Sequence, residues 1–212
     1  MDVGIVGCGN VGTTSAFALL YSPPVNTINI YDINTNLLEG ICKDLEDAGY
    51  AQDKNVKKIS INELKNNDIV IITAGKKQKK NQKRKNLFKT NALIVDNILS
   101  QLKGYKKPII LVTNPVDLLA EYFQEKYKDL DIRSTGTRLD MQRLHIITNG
   151  KGKIKGTHDD NQIVIIDNKV DKELTKKVQK KAYDIIKSCG STKYGIANII
   201  KIMVEDIEKE KK

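Results

Sequence analysis

Tryptophan is missing from this chain of 212 residues, and histidine, cysteine, proline and arginine are scarce, with two, three, four and four copies. The cysteines, Cys8, Cys42 and Cys189, are odd in number and far apart, with no CxxC pair and no Cys/His cluster. That spacing offers neither a disulfide framework nor a zinc site, and no metal is expected. The longest apolar runs, Ile69–Ile72 and Ile109–Val112, fall far short of a bilayer span, so no membrane partner is expected. Met1-Asp2 runs directly into Val3-Gly4-Ile5-Val6 and leaves no basic-plus-apolar leader for secretion, which predicts a cytoplasmic, reducing setting. What remains, 40% hydrophobic and 29% charged residues, is enough to bury a core and argues against wholesale disorder.

The charge is uneven. Lysine and arginine total 36 against 26 acids, a net charge of +10. Eight of those cations lie between Lys76 and Lys89, a stretch without any acid, and without them the remainder carries only +2. The basicity belongs to one loop. Aromatic residues make up 5% of the chain and do not interleave with the lysines, so nucleic-acid binding is not the expected function.

The first 115 residues alternate short apolar runs with amphipathic stretches. Strands are predicted over 1–6, 27–31, 56–61, 68–73 and 108–113, and helices over 11–21, 34–47 and about 87–102. Strands that are continuously apolar, rather than alternating, indicate a parallel sheet covered on both faces. Beyond Thr113 the pattern gives helices over 116–128 and 139–148 and a Gly/Lys turn over 150–156. A strand over 162–167 and two closing helices, 172–187 and 194–209, follow. In the last helix Ile196, Ile200, Met203 and Ile207 form a stripe, expected to lie under the C-terminal region itself or in a subunit interface.

One motif stands out at the start: Gly7-Cys8-Gly9-Asn10-Val11-Gly12 directly follows a strand and opens a helix. Gly7 would permit the tight turn, Gly9 would let a diphosphate approach the backbone, and Gly12 would let helix and strand pack closely. The helix N-terminus adds free N–H donors and a positive dipole end. The next strand ends in Asp32, 20 residues after Gly12, where a carboxylate can bind ribose hydroxyls and repel a 2′-phosphate. This reading selects NAD over NADP.

Five further segments, in order, resemble the L-lactate/malate dehydrogenase family, including its branched-chain 2-hydroxyacid members. They are Ala74-Gly75-Lys76-Lys77-Gln78 with Arg84; Thr113-Asn114-Pro115-Val116-Asp117; Gly136 to Arg143; Gly156-Thr157-His158-Asp159-Asp160; and Gly190 to Ala197. The resemblance covers nearly the whole chain. It implies a doubly wound parallel Rossmann sheet over residues 1–134 and a reduced α+β catalytic region over 135–212. It also implies that Thr73, Ala74, Gly75, Asn91 and Asn114 join the glycine motif, including Asn10 and Val11, in holding NAD.

The chemistry is consistent with these positions. Oxidising a 2-hydroxy acid needs a base near neutrality, and only His145 and His158 offer an imidazole. His145 sits in a helix beside Leu144 and Ile146 and reads as a half-buried structural residue, whereas His158 lies in a polar loop. By resemblance His158 is the acid–base and Asp140 the carboxylate that fixes its tautomer. Arg143, three residues after Asp140, can grip a substrate carboxylate with two N–H bonds, a geometry lysine cannot copy. The plain alternative is an i,i+3 surface ion pair. Arg84 is implied to close over the substrate on a loop, Asn114 to bind its carbonyl, and Gln78 and Thr192 to line the side-chain pocket. A neutral Gln78 points to lactate; malate-specific members place an arginine there.

The chain is shorter than full-length members. Only 15 positions separate Arg143 from His158, and the stretch from His158 to Asp171 is also brief. The expected function is an NAD-dependent L-2-hydroxyacid dehydrogenase acting on lactate and pyruvate as a homo-oligomer. Malate or a branched-chain 2-hydroxy acid is the alternative substrate, and a dinucleotide-binding remnant without turnover is the alternative of another class.

Overall fold

A computed structural model describes residues 1–76, 87–158 and 161–211. Six strands form one parallel sheet: β1 (Asp2–Val6), β2 (Thr27–Tyr31), β3 (Asn55–Lys58), β4 (Ile69–Ile72), β5 (Ile109–Leu111) and β6 (Ile132–Ser134). Their spatial order is β3-β2-β1-β4-β5-β6. Central β1 pairs with β2 through Val3↔Ile28 and with β4 through Val3↔Ile69, and β4 and β5 are buried at every residue. This double burial is why their sequences are unbroken apolar runs. Edge strand β3 buries only Val56 and reads polar elsewhere.

Helices cover both faces. α1 (Asn10–Leu20), α2 (Thr35–Tyr50) and α7 (Tyr194–Lys209) share one core with Val3, Ile5, Ile28, Ile30, Ile69 and Ile71. α3 (Phe88–Gln101) and α4 (Val116–Lys126) share the opposite core with Val6, Val70, Ile72, Ile109 and Leu111. The chain leaves β1 toward β2 and β3, then returns to β4 and proceeds the other way. The order reverses between β1 and β4, the place where doubly wound sheets bind ligands at their carboxyl ends.

A second, antiparallel sheet contains β7 (Lys153–Lys155), β8 (Ile163–Ile166) and β9 (Lys169–Asp171). It packs on α5 (Arg138–Thr148) and α6 (Lys172–Cys189) around Leu144, Ile154, Val164 and Val178. The sequence predicted only β8. Strands β7 and β9 carry a single apolar residue each between charged ones, so they have no periodic signal and owe their form to pairing with β8. The expected strand over 56–61 ends at Lys58, because the N–H and hydroxyl of Ser60 both donate to Glu63 and start a 3-10 turn over Ile61–Asn66.

Most of the α7 stripe is covered by the six-stranded sheet and α1 rather than by the C-terminal region, although α5 also packs against the start of α7. Ile200, Met203, Val204 and Ile207 are buried against α1 and the sheet, so the last helix completes one core of the six-stranded sheet. Arg133 at the end of the sheet binds Asp131 and donates to Glu210 (2.7 Å), tying the residues after α7 to β6.

Candidate active site

The glycine turn joins β1 to α1 at the switch point. Gly7 has φ +98°, a left-handed backbone open to glycine, and a Cβ there would meet the Ala74 nitrogen at 2.6 Å. A Cβ on Gly12 would strike the Gly7 carbonyl and sit 2.7 Å from Thr73 Oγ1, the hydroxyl that donates to that same carbonyl (2.8 Å). At Gly9, by contrast, a Cβ would meet nothing within 4 Å. Gly9 is also the N-cap of α1 without a side-chain cap, which leaves N–H donors at the helix start facing that open space. Val11 packs against the core below.

Asp32 follows β2 and its carboxylate accepts from the backbone N–H of Cys8 (2.6 Å) and of Asn34 (2.8 Å). Two backbone bonds fix it beside the glycine turn. Burial, and the Asp32 charge next, push the Cys8 thiol up to about 12, so the turn itself carries no negative charge. The loops after β4 and β5 are stitched together next to this turn. Thr113 Oγ1 donates to the Ala74 carbonyl (2.8 Å), the Lys76 N–H donates to Asn91 Oδ1 (2.8 Å), and Asn91 Nδ2 donates to the Asn114 carbonyl (2.6 Å). The Asn91 amide thus clamps protein backbone. A Cβ on Gly75 would press on Thr113 Cγ2 at 2.6 Å. Asn114 Oδ1 is buried with no protein donor among the described residues, which suits a ligand N–H or O–H.

These features fit NAD: an uncapped helix start, open space at Gly9, a carboxylate fixed at the end of β2 and a buried orphan acceptor at Asn114. Asp32 is expected to make NADH bind at least ~10-fold tighter than NADPH, since placing a 2′-phosphate against it costs over ~1.4 kcal/mol. Titration of nucleotide fluorescence checks this, and equal affinities would remove Asp32 from the ribose site.

The second half of the site lies on α4, α5 and the β7–β8 hairpin. Asp140 and Arg143 lie one turn apart on α5, and Arg143 donates to Asp140 Oδ1 at 2.7 Å. Their side chains are 1% and 5% exposed, which excludes the surface-pair alternative. The other Asp140 oxygen meets His158 Nδ1, so carboxylate, imidazole and guanidinium form one chain of hydrogen bonds. Burial raises the Asp140 carboxyl, but the His158 hydrogen bond, the His158 charge and the Arg143 guanidinium together outweigh it and hold the group below its ordinary 3.8. Asp140 is therefore a carboxylate near neutrality and Nδ1–H is the donor.

The sign of the pH effect follows. A carboxyl depressed by folding contributes stability that is present above its unfolded value and lost as pH falls through the folded one. The wild type is expected to lose stability more steeply than Asp140→Asn from about pH 4 downward in urea denaturation. Parallel slopes for the two proteins would contradict the pairing.

His145 is exposed rather than half-buried, with Nε2 3.3 Å from the carbonyl of Gly152 in the turn between α5 and β7. Thr192 lies half-buried in the loop before α7, next to Ser191, whose hydroxyl accepts from Asn10 Nδ2 in the glycine motif (2.9 Å). The loop carrying Thr192 thereby touches the cofactor end. Gln78 and Arg84 lie outside the described residues. One residue escaped notice in the sequence although it closes the Thr113–Asp117 motif. Asp117 accepts the His158 backbone N–H (2.6 Å) and the Ser134 hydroxyl (2.8 Å).

A doubly wound sheet with a dinucleotide turn at its switch point, joined to a carboxylate–imidazole–guanidinium chain, defines an NAD-linked oxidoreductase. Comparison with known proteins agrees. The family model described as "lactate/malate dehydrogenase, NAD binding domain" matches residues 1–136. L-lactate dehydrogenase of Mycoplasma mobile is 33% identical over 97% of this chain and 75% of its own. Malate dehydrogenase from Archaeoglobus fulgidus, solved in complex with NADH, superposes with TM-score 0.83 at 30% identity over 99% of this chain and 78% of its own. Minor L-lactate dehydrogenase from Enterococcus mundtii gives 0.81 at 29% identity over 96% and 76%. The chain belongs to the lactate/malate dehydrogenase family of NAD-dependent 2-hydroxyacid dehydrogenases, and spans about three quarters of these relatives' length.

Proposed function

We propose that this chain interconverts pyruvate and L-lactate, with residues 1–134 holding the cofactor and 135–212 supplying the acid–base and the carboxylate grip. The observation that supports it is the hydrogen-bonded chain from Arg143 through Asp140 to His158. NADH, when bound, supplies a hydride to the carbon of the 2-oxo group. Asp140, ionised, holds His158 by Nδ1–H, so proton exchange with the substrate oxygen falls to Nε2. The imidazolium gives its proton to the oxygen as negative charge develops there, and Asp140 stabilises the cation beforehand. Arg143 donates to Asp140, and its planar guanidinium is the group proposed to pair with the substrate carboxylate. Asn114 binds the carbonyl and Thr192 lines the side-chain pocket; the family resemblance assigns the neutral pocket residue to Gln78 and a substrate-binding guanidinium to Arg84, both outside the described residues.

A neutral Gln78 leaves a second substrate carboxylate desolvated without a partner, so pyruvate or a branched 2-oxo acid should exceed oxaloacetate in kcat/KM. Assaying NADH oxidation with pyruvate, oxaloacetate and 2-oxoisocaproate in parallel tests the choice. Preference for oxaloacetate would assign the pocket to the neighbouring lysines instead. NADH binding with no turnover of any of the three would make the chain a dinucleotide-binding remnant.

Free thiols at Cys8, Cys42 and Cys189 suit a reducing cytoplasm, and no helix among the described residues is long and apolar enough to cross a membrane. Exposed Leu93 on α3 and Leu118 and Tyr122 on α4 suit a homo-oligomeric contact, which sedimentation measures.

A further inference from the structure

We propose that Asp117 is a positioning residue that fastens the His158 loop to the cofactor domain, and so sets where the imidazole stands relative to Asn114. This rests on the dehydrogenase reading for its consequence in turnover, but not for the tether itself. His158 lies in the hairpin loop between β7 and β8, which belong to the small antiparallel sheet and not to the sheet that carries the glycine turn. Its ring is held from α5 by Asp140, and its backbone is held from α4 by Asp117 Oδ2 at 2.6 Å. Asp117 is in the first turn of α4, only three residues beyond Asn114, whose carbonyl is clamped by Asn91. The bond therefore joins the acid–base to the strand end that carries the carbonyl-binding amide.

An acid in the first turn of a helix is by itself unremarkable, since the helix dipole favours one there. Here both oxygens are committed elsewhere: Oδ1 accepts from Ser134 at the end of β6 and Oδ2 from the His158 N–H. Ser134 fixes the rotation of the carboxylate, and the carboxylate fixes the loop. The role is one of hydrogen-bond geometry. An asparagine in its place can accept the His158 N–H through Oδ1 and donate to the Ser134 hydroxyl through Nδ2. An alanine can do neither.

The test combines amide exchange with kinetics on the full chain. Selective 15N-histidine labelling gives two backbone amide signals, His158 and, as an internal control within α5, His145. In Asp117→Ala the His158 amide should exchange at least ~10-fold faster while His145 is unchanged, as expected for local release of a loop. The same variant should lose ~10- to 100-fold in kcat with pyruvate while NADH affinity stays within about 2-fold, because misplacement near an ångström is enough. Asp117→Asn should restore both readouts to within about 3-fold of wild type. If Asp117→Ala does not fold, Ser134→Ala carries the test, with a ~3-fold acceleration of the His158 amide expected from a loosened carboxylate. Wild-type exchange in the alanine variant, or in Ser134→Ala where that stands in, would overturn the tether, and so would an asparagine variant as damaged as the alanine one. Should the wild type reduce no 2-oxo acid while the amide follows these variants, the tether stands and the dehydrogenase reading falls.

Discussion

Replacing His158 by asparagine is expected to lower kcat with pyruvate at least ~100-fold and leave NADH affinity unchanged, the usual scale for a lost acid–base group. The expectation rests on position as well as residue type. His158 alone of the two histidines touches a buried carboxylate, and that carboxylate is held ionised by its surroundings. Asparagine can still donate to Asp140, so the loss falls on proton transfer rather than on folding. His145, exposed at the end of α5 with a backbone carbonyl beside it, offers no such pairing. His145→Asn should therefore keep turnover within about 3-fold of wild type, as surface changes away from a site do. Steady-state kinetics on both variants, with thermal melts to verify folding, make the comparison. A His145 variant more damaged than the His158 variant, with both folded, would reverse the assignment.

Arg143→Lys is expected to weaken recognition of pyruvate and of oxamate, a non-reacting analogue, by ~10- to 100-fold. The guanidinium is 5% exposed and donates to Asp140, and under the proposed function its planar fork also pairs with the substrate carboxylate. A lysine ammonium has three donors on a flexible stem and cannot hold both in fixed geometry. It would preserve the charge beside Asp140, which matters because removing a buried partner outright leaves an uncompensated charge at a cost of roughly 3 to 5 kcal/mol. The lysine variant thus separates substrate grip from folding. Unchanged oxamate affinity would leave Arg143 with the structural task of supporting Asp140 alone.

The parts legible in the sequence share a physical feature: each is a local pattern with its own signal. Doubly buried β1, β4 and β5 read as apolar runs, the glycine turn as three glycines at fixed spacing, and Asp32 as the acid ending the next strand. Asp140 and Arg143 could be paired because three residues of helix put them on one face. The illegible parts depend on the rest of the chain. Strands β7 and β9 exist through pairing with β8, and the α7 stripe shows that it is covered without showing by what. The burial of the Asp140–Arg143 pair separates a site from a surface pair, yet no spacing encodes it. Asp117 binds a residue 41 positions away through backbone, a contact for which side-chain chemistry gives no hint.

Under the proposed function the cofactor turn and the Arg143–Asp140–His158 chain act on one substrate, so hydride should pass from NADH to pyruvate in this chain. Isotope transfer is the test: the protein is mixed with pyruvate and NADH carrying deuterium at both C4 positions of the nicotinamide, and the lactate formed is read by mass spectrometry and NMR. Deuterium at C2 of L-lactate, absent when His158→Asn replaces the wild type, is the expected result. Tight NADH binding with all label retained on the cofactor would contradict hydride transfer at this site.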